Sequence, residues 1–324
     1  MEENQTLRSS ARSGARKRKR KLKRKAILGF IVLTILIGGS CVTYLLWQQF
    51  FGKVNATSLV KSNMTSLEIL NEKLIPKLTE QELSVLEDYQ FNLNMLLSQV
   101  DESYSEEDAN RLRDIGTLVQ AQIDAQELNE LENTINSLAY EIDAKHFTIG
   151  PGSLHFERGI LILNKVHGVD ADFSPGFRPI VQGAYDRMAA AAADEGIYLT
   201  DFSTYRSYGV QEGLFNRYAS NYGEEEANRF SARPGYSEHQ SGYALDIGGT
   251  NNPGAWAETW FDGTDEALWL EKNAPSYGFI LRYLPEKEDI TGYIHESWHF
   301  RYVGEIAPKI TTTGLTLEEY FGMV

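Results

Sequence analysis

Residues 292–304 read GYIHESWHFRYVG, and two structures compete for them. His295, Glu296 and His299 spell H-E-x-x-H, which on a helix would set two imidazoles one turn apart as zinc ligands. The neighbours oppose a helix: Tyr293, Ile294, Trp298, Phe300, Tyr302 and Val303 are aromatic or β-branched, and glycine stands at both ends. A strand is the expected conformation. At roughly 3.3 Å per residue it would hold His295 and His299 about 13 Å apart, too far to share one ion. His295 therefore drops out as a partner of His299.

A second ligand pair is sought upstream, in SEHQSGYALDIG (Ser237 to Gly248). GYALDIG alternates, with Tyr243, Leu245 and Ile247 on one face and Ala244 and Asp246 on the other. Asp246 has small neighbours, and His239 sits in the glycine-flanked approach, able to fold back. A zinc ion would satisfy a buried Asp there. A surface turn with a solvated Asp at a strand end fits the same letters, so spacing alone leaves both readings open. Cysteine cannot contribute, because Cys41 is the only one in the chain.

Further motifs carry a resemblance. S-x-H-x-x-G-x-A-x-D in SEHQSGYALDIG and E-x-W-H in ESWH resemble the signatures of the lysostaphin, D-alanyl-D-alanine peptidase and hedgehog group of zinc proteins. LNKVHGVDADFSP (Leu163 to Pro175), STYRSYGVQEGLF (Ser203 to Phe215) and WHFRYVG narrow the likeness to VanY-like D-alanyl-D-alanine carboxypeptidases, over about residues 157–324. The resemblance implies a Zn²⁺ cofactor held by His239, Asp246 and His299, with Glu296 as general base and Arg206 on the substrate side. It also implies that Ser237 and Gln211 line the cleft, and that the substrate is a peptidoglycan stem peptide losing its C-terminal D-alanine. An L,D-carboxypeptidase acting on tetrapeptide stems is the nearest alternative. A non-catalytic zinc-containing wall-binding module is another, although such a module needs no base beside its metal. Trp298 is expected as cleft wall or core, and His167 as a structural histidine.

The rest of the chain sets the context. Of its 324 residues, the first 25 carry 11 Lys/Arg against 2 Asp/Glu, and the remainder 20 against 43. The basic block RKRKRKLKRK (Arg16 to Lys25) abuts 22 uncharged residues, 26–47, which as a helix span roughly 33 Å and cross a bilayer core of about 30 Å. The expected topology is a single-pass membrane protein with a cytoplasmic tail at 1–25 and everything past Trp47 extracytoplasmic. The basic tail suits anionic inner-leaflet lipid, and no nucleic-acid partner is expected.

Residues 48–149 are expected to form a helical stalk or bundle, with a capping box at TEQE (Thr79 to Glu82), a cap at Ser105, and apolar stripes such as Leu83, Leu86, Leu93, Leu96 and Val100. A protein partner or self-association through this stalk is the functional alternative to a plain spacer. Gly150, Pro151 and Gly152 mark a boundary. Residues 150–324 then read as the catalytic domain: α+β, with a mostly antiparallel sheet and flanking helices, in which GILILN and YLTDFSTYRS are strands and VQGAYDRMAAAAADEG a helix.

Overall fold

The structure is a computed structural model that describes residues 78–144 and 154–324. Three helices lead, α1 (Glu80–Leu97), α2 (Glu106–Asp124) and α3 (Leu128–Asp143). The Thr79 side chain accepts from Glu82 N while Glu82 Oε2 accepts from Thr79 N, so two of the free donors at the start of α1 are satisfied reciprocally. Ser105 caps α2 by accepting from Asp108 N, without the reciprocal bond. Leu86, Leu93 and Leu96 are buried as their spacing predicts, whereas Leu83 at the stripe's edge is exposed.

A hairpin follows, β1 (His155–Glu157) and β2 (Ile160–Ile162). Its two-residue turn needs positive φ at both positions, supplied by Arg158 (48°) and Gly159 (84°). The turn is wedged against the helices: Arg158 N donates to Glu132 and Gly159 N to Asn136, and a Cβ on Gly159 would lie 3.1 Å from Leu96 and Ile135. Then come α4 (Pro179–Asp194), β3 (Leu199–Ser203), α5 (Tyr208–Tyr222), α6 (Glu224–Phe230), the one-turn α7 (Glu238–Ser241) and β4 (Ala244–Gly249). The chain closes with α8 (Asp265–Asn273), β5 (Phe279–Tyr283), α9 (Glu288–Thr291), β6 (Glu296–Tyr302), α10 (Ala307–Thr313) and α11 (Leu317–Tyr320).

The main sheet has the order β3-β4-β6-β5 and every pairing is antiparallel. β4 and β6 are central, and all of their residues are buried, so the alternation read in GYALDIG separates core from cleft rather than core from water. Tyr243, Leu245 and Ile247 join the main hydrophobic core.

The helices expected as a separate stalk pack as part of the same body. Leu78–Val324 forms one compact unit, and Leu93, Leu131, Ile135 and Leu138 share a core with Leu161, Phe279 and Phe300. Buried Asp88 on α1 accepts from Arg158 (2.7 Å), Lys309 (2.6 Å) and Tyr320 (3.0 Å). Asp143 at the end of α3 pairs with Arg178 at 2.7 Å and accepts from the Tyr243 hydroxyl at 3.3 Å. The boundary expected at 149/150 thus does not divide the described residues. An amphipathic helix shows that one face is covered but not by what. No helix of the described residues is long and apolar enough to cross a membrane, and the expected span at 26–47 lies outside them.

Candidate active site

Two adjacent central strands and one short helix build the site. Asp246 on β4 pairs directly across the ladder with His299 on β6, and His299 Nδ1 lies 3.0 Å from Asp246 Oδ1. His239 reaches them from α7, its Nε2 3.3 Å from Asp246 Oδ2. α7 must stop at once for β4 to begin, and Gly242 stops it in the left-handed region, φ 73°. A Cβ at that position would meet the Gly176 carbonyl oxygen at 2.0 Å. His239, Asp246 and His299 are all buried, with one donor atom from each within 4.8 Å of the others. Among the described residues no other such group occurs.

Glu296 joins them through an irregularity in β6. Between the pairs Leu281↔Phe300 and Tyr283↔Glu296 the register shifts, so three residues of β6 oppose one of β5 and the two-residue alternation breaks. Glu296 and His299, three apart, consequently share one cleft, with Glu296 Oε2 4.0 Å from His299 Nδ1. His295 turns away to the Tyr283 carbonyl and Asp262.

A family model for VanY, described as D-alanyl-D-alanine carboxypeptidase, matches residues 175–305, and the putative carboxypeptidase YodJ of Bacillus subtilis is 39% identical over 188 residues, 52% of this chain and 68% of that protein. The chain belongs to the VanY family. The bifunctional D-Ala-D-Ala dipeptidase and carboxypeptidase VanXYC of Enterococcus gallinarum is 34% identical over 154 residues, 46% of this chain and 80% of that protein. A solved structure of an L,D-carboxypeptidase, DacB of Streptococcus pneumoniae, is 40% identical, covers 50% of this chain and 86% of its own, and gives a TM-score of 0.46.

Arg206, Gln211, Ser237, His239, Asp246, Glu296 and His299 all lie within the span matched to VanY. Six of them line one cavity of about 280 Å³, together with Trp298. Gln211 does not. It is fully buried behind Arg206, donating to the Ala232 carbonyl (2.7 Å) and accepting from Arg206 Nη1 (2.8 Å), so it orients the guanidinium rather than facing a ligand. Ser203 Oγ takes Arg206 Nη2 at 2.9 Å, and the same nitrogen stands 3.6 Å from Asp246.

Each imidazole is fixed from behind. His239 Nδ1 donates to the Thr204 carbonyl at 2.6 Å, leaving Nε2 toward Asp246. His299 Nε2 donates to Glu238 at 3.2 Å, leaving Nδ1 toward Asp246. A buried carboxylate behind a ligating histidine orients the ring and raises its basicity. Glu238 was not singled out in the sequence; the available signal was a set of charged residues, Arg282, Arg301 and Glu238 itself, inside otherwise apolar strands and turns. Arg282 donates to Glu238 at 2.8 Å and Arg301 at 3.1 Å, and Arg282 also forks onto Glu318.

The VanY-like site is tuned electrostatically. Burial would raise Asp246 and Glu238, but the imidazoles beside the first and the two arginines beside the second hold both well below the carboxylate range. Burial pushes Glu296 up to about 8, assisted by the charge of Asp246. Burial lowers His239, whereas His299, which burial also opposes, is raised to about 9 by its hydrogen bonds to Asp246 and Glu238. His167, stacked on His155 at 3.7 Å, lies outside this cleft.

Proposed function

We propose that this chain is a zinc D,D-carboxypeptidase that removes the C-terminal D-alanine from peptidoglycan stem peptides outside the membrane, anchored by residues 26–47. The observation that carries the reading is a buried carboxylate, Glu296, set in one cleft beside a triplet of two imidazoles and a carboxylate. The triplet fits zinc by its chemistry: two imidazole nitrogens and a carboxylate oxygen, all buried, lie within 4.8 Å of one another. His239 Nε2, His299 Nδ1 and Asp246 would hold it. When bound, the ion supplies a Lewis acid that acidifies a water and polarises the scissile carbonyl.

The protein's own groups do the rest. Glu296, in the cleft beside the triplet, takes the attacking water's proton and returns it to the leaving amine. Arg206, braced by Gln211 and Ser203, presents a fixed guanidinium to a substrate oxygen. Thr204 and Glu238 keep both rings from swinging. A wall-binding module would gain nothing from a base beside the triplet, which favours the enzyme.

The anchor and topology rest on the uncharged run after a basic tail, residues that lie outside those described. The stem polymer lies on the side of the membrane to which that topology sends the body. Because α1 to α3 share the peptidase core, the experiment uses the full chain in detergent with zinc. Pentapeptide and tetrapeptide stems are supplied separately, with Glu296→Gln as control, and released D-alanine is read by mass spectrometry. Release from pentapeptide supports the D,D reading; release from tetrapeptide alone replaces it with the L,D activity.

A further inference from the structure

The base of the proposed mechanism has no hydrogen bond of its own. Among the described residues nothing donates to the Glu296 carboxylate, and its one ion pair is the 4.0 Å approach to His299 Nδ1. A carboxylate without such a bond is aimed only by packing and by its backbone. That backbone is itself loosely tied, because the ladder between β5 and β6 is interrupted from Leu281↔Phe300 to Tyr283↔Glu296. Something else must fix the start of β6.

His295, which completes H-E-x-x-H without ligating, supplies the tie. It lies on the other side of β6 from the cleft, where it lines a separate cavity of about 400 Å³ with Asp262, Ser297 and Phe300. Its Nδ1 donates to the Tyr283 carbonyl at 2.7 Å, and Tyr283 is the β5 residue that pairs with Glu296 across the ladder. The bond therefore fastens the two strands just beyond the interruption. Its Nε2 pairs at 3.2 Å with Asp262 Oδ1, on the 3-10 turn Thr259–Gly263. Phe261 anchors that turn from inside, fully buried, while Thr259 lines the cleft beside Ala257 and Glu258. One imidazole thus joins the strand that carries the base both to β5 and to a wall of the cleft. Tyr283 extends the effect, since its ring packs on that of His299 at 5.0 Å. The pair with Asp262 is 25% and 50% exposed, and an ion pair so open to water adds little to stability, so the fold does not explain it.

Resting on the carboxypeptidase reading above, we propose that His295 is a positioning residue with a divided role. Nδ1, through Tyr283, sets Glu296 for the attacking water, and Nε2, through Asp262, holds the wall at residues 257–259 against the substrate. A misplacement of about 1 Å at a reacting group can cost on the order of 10²-fold in rate, so the first tie acts on kcat. The second acts on KM, because it touches only the wall.

The test uses the full zinc-loaded chain and whichever stem peptide the wild type cleaves, with kcat and KM read beside zinc affinity and the thermal midpoint. His295→Phe keeps a ring and removes both bonds. Its kcat is expected to fall about 10- to 100-fold, with zinc affinity within about twofold because His239, Asp246 and His299 are untouched. His295→Asn returns an N–H where Nδ1 stood and should bring kcat back to within about threefold of wild type. His295→Gln reaches Asp262 but not the Tyr283 carbonyl, and its kcat stays as low as that of His295→Phe. Asp262→Ala frees the turn alone and should raise KM about 3- to 10-fold with kcat within about twofold. A wild-type kcat in His295→Phe overturns the proposal, as does a loss that Asn and Gln restore equally. A thermal midpoint that falls in step with kcat across the set also overturns it and leaves His295 as a residue of the fold. A wild-type chain that cleaves neither stem removes the carboxypeptidase reading itself, and this inference falls with it.

Discussion

Glu238 stands 3.2 Å behind His299 Nε2, on the side of the ring opposite Asp246, and it is itself fully buried between Arg282 and Arg301. One carboxylate thereby decides which nitrogen of the histidine faces the cleft. Glu238→Gln keeps the shape but halves the acceptor capacity and removes the charge that makes His299 basic. Zinc affinity, measured by chelator competition, is expected to fall roughly 10- to 100-fold. An affinity equal to wild type would show that ring packing alone orients His299.

The helices α1 to α3 are expected to unfold with the sheet rather than before it. Asp88→Ala strips Arg158, Lys309 and Tyr320 of their common buried acceptor, a change that costs on the order of 3–5 kcal/mol when it leaves charges unpaired. Denaturant unfolding followed by circular dichroism and by tryptophan fluorescence should give coincident transitions in the wild type, and a single transition at lower denaturant in the variant. Two separated transitions in the wild type would restore an independent stalk.

Gly242→Ala tests the turn that brings His239 back over β4. The alanine Cβ has no room at 2.0 Å from the Gly176 carbonyl oxygen, and its φ of 73° is one that side chains resist. Loss of zinc binding together with a lowered thermal midpoint is expected. Wild-type values for both would mean that the α7 to β4 junction tolerates another geometry.

Lys165 gives the fold a pH signature. Burial lowers its folded-state pKa to about 8 from an ordinary 10.5, with Arg233 adding to the shift. Between those values the unfolded chain still binds the proton that the folded chain has released, so this group makes stability rise as pH rises from about 8. The difference between wild type and Lys165→Met, measured as denaturant midpoints at fixed zinc from pH 7 to 10, should therefore shift in favour of the wild type as pH increases. A flat difference would show that the ammonium is as well solvated in the folded state as in the unfolded one.

Much of the site was legible because local rules and motif order pointed the same way. The aromatic and β-branched residues around Glu296 spoke for a strand, and β6 runs Glu296–Tyr302; the alternation in GYALDIG gave β4 and put Asp246 opposite the core. Contacts between residues distant in the chain were not legible. Glu238 meets Arg282, Arg301 and His299 only after the sheet assembles, and no local pattern announces those partners. Gln211 looked like cleft polarity, but it lies on α5 facing the Ala232 carbonyl. The helical stripes declared a buried face without saying that the peptidase core would bury it.

The most direct measurement is D-alanine release by the full zinc-loaded chain from a pentapeptide stem, with Glu296→Gln beside it. The account predicts release by the wild type and a rate lower by roughly 10²–10⁴-fold in the variant, with zinc still bound. Equal release by both proteins, or none from the wild type, would contradict the assignment of Glu296 as the base of this site.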